Sequence, residues 1–139
     1  MITDPDCIFC KIVAGEIPCF RLCEDEATLA FMDINPVNPG HALVIARDHH
    51  PDLFAIPAGL LAATTATLQK VARAIQKTLD PAGMNLMQCN GPAAAQSVPH
   101  FHMHAIPRHD GDGLAMNWGL TPGDMEEIGA LAEKIRANM

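Results

Sequence analysis

The sequence lacks a basic stretch leading into an apolar run at its start, which reads Met1-Ile2-Thr3-Asp4-Pro5. It also has no window approaching the roughly 18 consecutive apolar residues that span a bilayer. Both absences predict a soluble, cytoplasmic protein with no membrane partner. Positive charge is scarce: nine Lys and Arg stand against sixteen Asp and Glu, a formal net charge of −7. That argues against a broad basic surface able to track the backbone of long nucleic acid, while leaving room for one small nucleotide. No repeat, linker or low-complexity tract interrupts the 139 residues, a length that fits one domain spanning 1–139. Cysteines are few and odd in number, five in all, and the Cys7-x-x-Cys10 spacing suggests metal or redox chemistry before a structural disulfide.

What is present suffices for a core, since 49% of residues are apolar and 18% charged. Ile8 to Ala14 reads as a short helix ended by a left-handed Gly15. Phe20 to Cys23 and Ala27 to Asp33, separated by Glu24-Asp25-Glu26, read as a hairpin with an acidic loop. A rigid loop from Asn35 to Gly40 follows, and then the continuous apolar run His41 to Ala46, a strand for the middle of the sheet. The clearest helix is predicted from about Pro57 to Leu79, where Leu61, Thr65, Leu68, Ala72, Ile75 and Leu79 repeat at three- and four-residue steps. Asp80-Pro81-Ala82-Gly83 stops it. Met84 to Cys89 and Pro99 to Ile106 read as two more strands, and a last helix is expected from Thr121, as N-cap, with Pro122 at its first position, to about Ala137. Adjacent strands with short turns and two main helices predict an α+β domain, an antiparallel sheet of about five strands with helices packed on it.

The segment His100-Phe101-His102-Met103-His104 carries the chemistry. Side chains alternate across a strand, so the three histidines share one face, expected to be at least partly accessible, and Phe101, Met103 and Ala105 share the other, expected to be buried. Three imidazoles in line are costly to bury idle, because each neutral ring needs both a donor and an acceptor satisfied. One use for such a face is metal binding, since two histidines at i and i+2 can grip one Zn²⁺. The other is nucleophilic catalysis: neutral imidazole carries a nucleophilic nitrogen at pH 7 and forms a covalent phosphoryl intermediate. The middle ring, His102, would present Nε2 to phosphorus and donate Nδ1–H to a fixed acceptor such as a backbone carbonyl, while a flanking histidine, held protonated or sharing a proton, serves the leaving group as general acid.

The alternation through Ala105-Ile106 resembles the histidine-triad (HIT) hydrolase family. So do Cys7-Ile8-Phe9-Cys10-Lys11-Ile12, Phe31-x-Asp33-Ile34-x-Pro36, Gly40-His41-x-Leu43-Val44-Ile45 and Gln96-Ser97-Val98. The similarity is to its Hint-type bacterial branch and runs from Cys7 to Arg108. The resemblance implies a HIT-like fold with His102 as nucleophile, His104 on the phosphate, His100 supporting the site or binding metal, and His41 facing the triad. Read alone, His41 would be a satisfied core or rim histidine. Phe31, Asp33 and Ile34 match positions that hold the nucleoside, with Asp33 on the ribose hydroxyls; Asn90 matches a ribose or phosphate contact, and Gln96 and Ser97 the loop near the leaving group. Members of this branch are homodimers that hydrolyse purine nucleoside phosphoramidates and related adenylylated compounds through a nucleotidyl-histidine. Two readings compete: hydrolysis of dinucleoside polyphosphates, and a nucleotide- or zinc-binding regulatory module with little catalysis.

The resemblance also implies a structural zinc on Cys7, Cys10, His49 and His100, with His50 able to replace His49, and no organic cofactor. Cys19, Cys23 and Cys89 have no evident partner and are expected as small core residues. Trp118 is expected at a dimer interface, over the neighbouring pocket, or in the core. Two departures stand out. Ala94-Ala95 precedes Gln96 where many relatives have glycine, and Pro99 removes a backbone donor beside His100.

Overall fold

The computed structural model describes residues 1–115 and 120–139; Trp118 lies outside them. The chain forms helix α1 (Ile8–Val13), strands β1 (Arg21–Glu24), β2 (Thr28–Met32) and β3 (Ala42–Ala46), helix α2 (Ala58–Leu79), strands β4 (Gly83–Met87) and β5 (His102–Arg108), and helix α3 (Met125–Arg136). The five strands make one antiparallel sheet in the order β1-β2-β3-β5-β4. This is the α+β architecture expected from the sequence. The acidic hairpin loop is pinned by Asp25, whose Oδ1 accepts from the amides of Ala27 and Thr28 and from the Thr28 hydroxyl.

Strand alternation sorts the core into two layers. Leu29, Phe31, Leu43 and Ile45 face α1 and pack with Phe9, Cys10 and Ile12. Ala30, Ala42, Val44 and Ala105 face α2 and pack with Leu68, Val71 and Ile75. The side of α2 that is buried, Thr64, Thr67, Leu68, Val71 and Ile75, is rotated from the predicted stripe, with Thr65 and Leu79 exposed. The two threonines explain the shift. Thr67 Oγ1 lies 2.8 Å from Thr28 Oγ1 and Thr64 Oγ1 donates to Leu60 O, so both polar atoms are satisfied inside a core that apolar periodicity alone would not assign to them. Fully buried Phe101 adds roughly 1.5–3 kcal/mol of burial on this side.

Other boundaries moved for local reasons. Strand β5 starts at His102, not Pro99: Pro99 has no ladder donor, His100 N bonds Val98 O in a turn, and Phe101 N bonds His50 O. Helix α3 starts at Met125, not next to Thr121, because Asp124 is the N-cap, its Oδ1 accepting from Glu126 N and Glu127 N. The last helix is not packed on the sheet; among the described residues it buries none of its own side chains. Cys19 and Cys23 are half-buried at the core margins and Cys89 is only half-buried, so none is a true core residue. Gly40 fits where it stands: at φ +93°, a Cβ there would sit 2.5 Å from Leu79 Cδ1, so only glycine lets the chain turn into β3.

Candidate active site

In the sheet, His104 lies opposite Leu43 and His102 opposite Ile45, on the face covered by α1. They look into a cleft of about 220 Å³ whose apolar walls include Phe9, Ile12, Ile17, Phe31 and Leu43 and whose polar lining includes Asp33, Ser97, His102 and His104. Ile34 sits at its rim, largely exposed. A larger groove of about 410 Å³ along α2 is almost wholly apolar and contains no histidine. The histidine face is less accessible than expected: His100, His102 and His41 are buried and His104 is half-buried, because α1 lies over this face. Phe9 meets the His102 ring edge-on at 5.1 Å.

Hydrogen bonds settle which nitrogen of each ring carries the proton. His102 Nδ1 lies 2.6 Å from the His100 carbonyl oxygen, an acceptor only, so Nδ1–H donates and Nε2 keeps its lone pair. Burial pushes the His102 pKa down, with the His100 carbonyl and Asp33 opposing, which keeps the ring neutral. His104 is held neutral as well: burial first, then the neighbouring His102 and His41, push it down to about 4. Of the two forms expected for a flanking general acid, burial disfavours the held imidazolium, and the shared proton matches His41 Nε2 and His104 Nδ1 lying 2.9 Å apart.

The histidines divide into two clusters. In the first, Cys7 Sγ, Cys10 Sγ, His49 Nδ1 and His100 Nδ1 all lie within 4.8 Å of one another. His100 Nε2 donates to Ala46 O at 2.6 Å, so its Nδ1 faces the thiols unprotonated, 3.4 Å from Cys7 Sγ and 3.7 Å from Cys10 Sγ. His49 turns its Nδ1 inward too, 3.2 Å from His100 Nδ1 and 3.5 Å from Cys10 Sγ, with Nε2 3.8 Å from Asp4 Oδ2. Asp4 N donates to Cys10 Sγ, whereas burial and then Cys7 push the Cys10 thiol up. Two sulfurs and two imidazole nitrogens gathered about one point, with His100 Nδ1 unprotonated, are a donor set that fits a tetrahedral ion. It is the ring of His49, not that of His50, that brings a ligand atom into this cluster.

In the second cluster Asp33, His41 and His104 also bring ligand atoms within 4.8 Å. Here the hydrogen bonds oppose an ion. Val37 N donates to His41 Nδ1 at 3.2 Å, which puts the neutral ring's proton on Nε2, 2.9 Å from His104 Nδ1 and 3.5 Å from Asp33 Oδ2. A ring protonated at the inward nitrogen donates a hydrogen bond and cannot ligate a metal.

Two predicted contacts are not brought to the cleft wall. Asn90 Oδ1 accepts from Leu53 N and Gln88 Nε2, and its Nδ2 donates to Gln88 Oε1. Gln96 Oε1 accepts from Gly91 N while Nε2 donates to Pro51 O and Val98 O. Both residues shape the loop that delivers Ser97, and beside them Ala95 stands at φ +62°, the left-handed conformation glycine would adopt freely. Sequence reasoning missed Phe9, Ile12, Ile17 and Leu43 as cleft walls and the Ala46 carbonyl and Val37 amide as tautomer-setting partners. Phe9, Ile12 and Leu43 belong to the α1-side core and Ile17 packs against it, so in sequence all four read as core; the backbone partners leave no trace in sequence.

The HIT domain profile matches residues 14–111. Adenosine 5'-monophosphoramidase hnt1 of Schizosaccharomyces pombe is 41% identical over 134 residues, covering 96% of this chain and 98% of that protein. A HIT family protein from Bacillus anthracis superposes with TM-score 0.91 at 38% identity, covering 99% of each chain. A Zn-bound histidine triad family protein from Mycobacterium smegmatis superposes with TM-score 0.75 at 39% identity, covering 95% of this chain and 97% of that one. With the profile matched over more than half its length and relatives this similar from end to end, the chain belongs to the HIT family.

Proposed function

We propose that this protein is a nucleotidyl hydrolase that cleaves purine nucleoside phosphoramidates, or related adenylylated compounds, through a nucleotidyl intermediate on His102. The observation that carries the reading is the His102 Nδ1–H bond to the His100 carbonyl, which leaves Nε2 with its lone pair on a residue lining the cleft. In the first half-reaction Nε2 bonds to the α-phosphorus as the P–N bond breaks, and the departing nitrogen takes a proton from water and leaves as an amine. In the second, water attacks the same phosphorus, the N–P bond breaks and the nucleoside monophosphate is released. Phe31 and Ile34 flank the nucleoside, Asp33 accepts ribose hydroxyls through Oδ2, and Ser97 stands towards the leaving group. The named activity of the fission-yeast relative supports this substrate class.

Cys7, Cys10, His49 and His100 would hold a zinc ion whose contribution is structural, since a closed four-ligand site has no position for substrate. The Zn-bound relative supports that assignment. A cytoplasmic homodimer completes the proposal. In its favour, among the described residues β4 is an edge strand bearing the exposed Leu86, and Ile128, Leu131 and Ile135 of α3 are exposed.

The test is brief exposure to AMP phosphoramidate, acid quench and mass spectrometry of the denatured chain. The expected result is one AMP adduct mapping to His102 together with free AMP on longer incubation. An unmodified chain with no AMP released would end the proposal, and faster turnover of a dinucleoside polyphosphate would move the substrate assignment.

A further inference from the structure

Helix α3 and the long groove along α2 are each incomplete alone. A helix of 12 residues is marginal in water unless an amphipathic face is packed. Helix α3 has such a face, with Ile128, Leu131 and Ile135 repeating at three- and four-residue steps, each more than half exposed. Among the described residues no side chain of α3 is buried. The groove, about 410 Å³, lies between α2 and the β1–β2 hairpin, on the opposite face of the sheet from the histidine cleft. Its walls are apolar, among them Cys23, Met32, Val71 and Ile75, and its Leu22 and Leu79 remain exposed. An open apolar groove and an uncovered apolar helix in one chain mark an interaction surface.

We propose that α3 of a second copy of this chain fills the groove, and that the exchange is reciprocal, each α3 lying along α2 of the other copy. The inference rests on the homodimer proposed above and names the surfaces that form it. Dimensions support this occupant: at 1.5 Å per residue the α2 wall runs about 14 Å from Lys70 to Leu79, and the α3 stripe about 11 Å from Ile128 to Ile135. Charge gives it a direction. Among the described residues Lys70 is the one charged residue of the groove wall, and α3 begins with Asp124, Glu126 and Glu127. At the other end Asp80 caps α2, and α3 closes with Lys134 and Arg136. The two helices therefore run parallel, with the first turn of α3 towards Lys70 and its last turn towards Asp80.

Connectivity assigns the helix to another molecule. The chain leaves the sheet on a fixed course, because Asp112 accepts from the Arg108 guanidinium, from Asn38 Nδ2 and from the amides of His109 and Leu114. On that course the chain's own α3 stays uncovered and its own groove open. A reciprocal exchange is isologous and closes at two copies, leaving no free helix or groove to continue into a filament. It is a helix-in-groove contact made twice, and the doubling matters because a stable interface needs on the order of 1,200–2,000 Å² in total. The groove is across the sheet from His102, so the exchange is tested without substrate.

The native thiol of Cys23 in the groove wall supplies the probe. In the full chain, with Cys19→Ala and Cys89→Ala removing other thiols, Leu131→Cys places a thiol on the α3 stripe. A short bismaleimide should give a covalent dimer on a denaturing gel, with the introduced thiol joined to Cys23. Mixing ¹⁴N- and ¹⁵N-labelled protein should give mixed-isotope peptide pairs at that link. A link within one molecule, a link between two α3 helices, or no link in a sample that sediments as a dimer would overturn the exchange and leave the homodimer standing. Wild-type protein that sediments as a monomer would sink both. Leu131→Glu together with Ile135→Glu, at positions already exposed, should fold and weaken the dimer about 100-fold or more. A dissociation constant unchanged from wild type in that variant would also overturn the exchange.

Discussion

Two histidine clusters lie on the same face of this sheet, each with ligand atoms gathered within 4.8 Å, and they are built for opposite tasks. At Cys7, Cys10, His49 and His100 the outer Nε2 of His100 donates to the Ala46 carbonyl, so its inner Nδ1 keeps its lone pair, and His49 turns its Nδ1 inward beside it. At Asp33, His41 and His104 an outer amide donates inward, so the inner nitrogen must hold a proton. Proximity of ligand atoms therefore says little about metal binding. The hydrogen bond on the far side of each ring decides whether the near side holds an ion or a proton. His102 stands between the clusters, its tautomer set by the backbone of a residue whose side chain belongs to the Cys/His cluster.

Substitutions can break this division. The largest effect should come from His102→Ala, with a loss on the order of 10⁴-fold or more in turnover of AMP phosphoramidate; its bound zinc, measured by atomic emission, should remain at one per chain. Next, Cys7→Ser together with Cys10→Ser should abolish that zinc and lower Tm by roughly 10 °C, as expected for a few kcal/mol in a domain of this size. Activity measured well below the lowered Tm should fall far less than in His102→Ala. Equal losses of turnover in the two variants would merge the clusters into one catalytic unit.

The pH dependence sharpens the same contrast. His104, held neutral by burial at a pKa of about 4 against an ordinary 6.5, binds fewer protons folded than unfolded. Its contribution to stability is thus complete above pH 6.5 and is lost as pH falls from there to about 4. His41, also pushed down by burial, adds in the same direction. Thermal melts between pH 7 and 4 should show Tm falling across that window, and His41→Gln, which removes one of these groups, should shallow the slope. The smallest effect should come from Asp4→Asn, which weakens only the outer partner of His49 at 3.8 Å and should loosen zinc by about tenfold in a chelator competition while leaving turnover unchanged.

The sequence conveyed element order well because most elements bury apolar residues at a clean period: β3 reads as Ala42 to Ile45 without interruption, and α1 ends at Gly15 as glycine there suggests. It misplaced the face of α2 because Thr64 and Thr67 are buried through hydrogen bonds that hydropathy does not register. At the site, spacing put His100, His102 and His104 on one strand, and the family resemblance supplied His49 and His100 as companions of Cys7 and Cys10, whose ligand atoms the structure gathers. They could not convey direction. Which nitrogen of His41 bears its proton depends on the Val37 amide, and Gln96 and Asn90 spend their amides on groups such as Gly91 N, Pro51 O and Leu53 N, backbone partners that residue type does not reveal.

A crystal grown with zinc and AMP, with anomalous scattering recorded at the zinc edge, tests the account most directly. One ion should appear on Cys7, Cys10, His49 and His100, none between His41 and His104, and the phosphate should sit within reach of His102 Nε2. An ion on His102, or one bridging Asp33, His41 and His104, would contradict it.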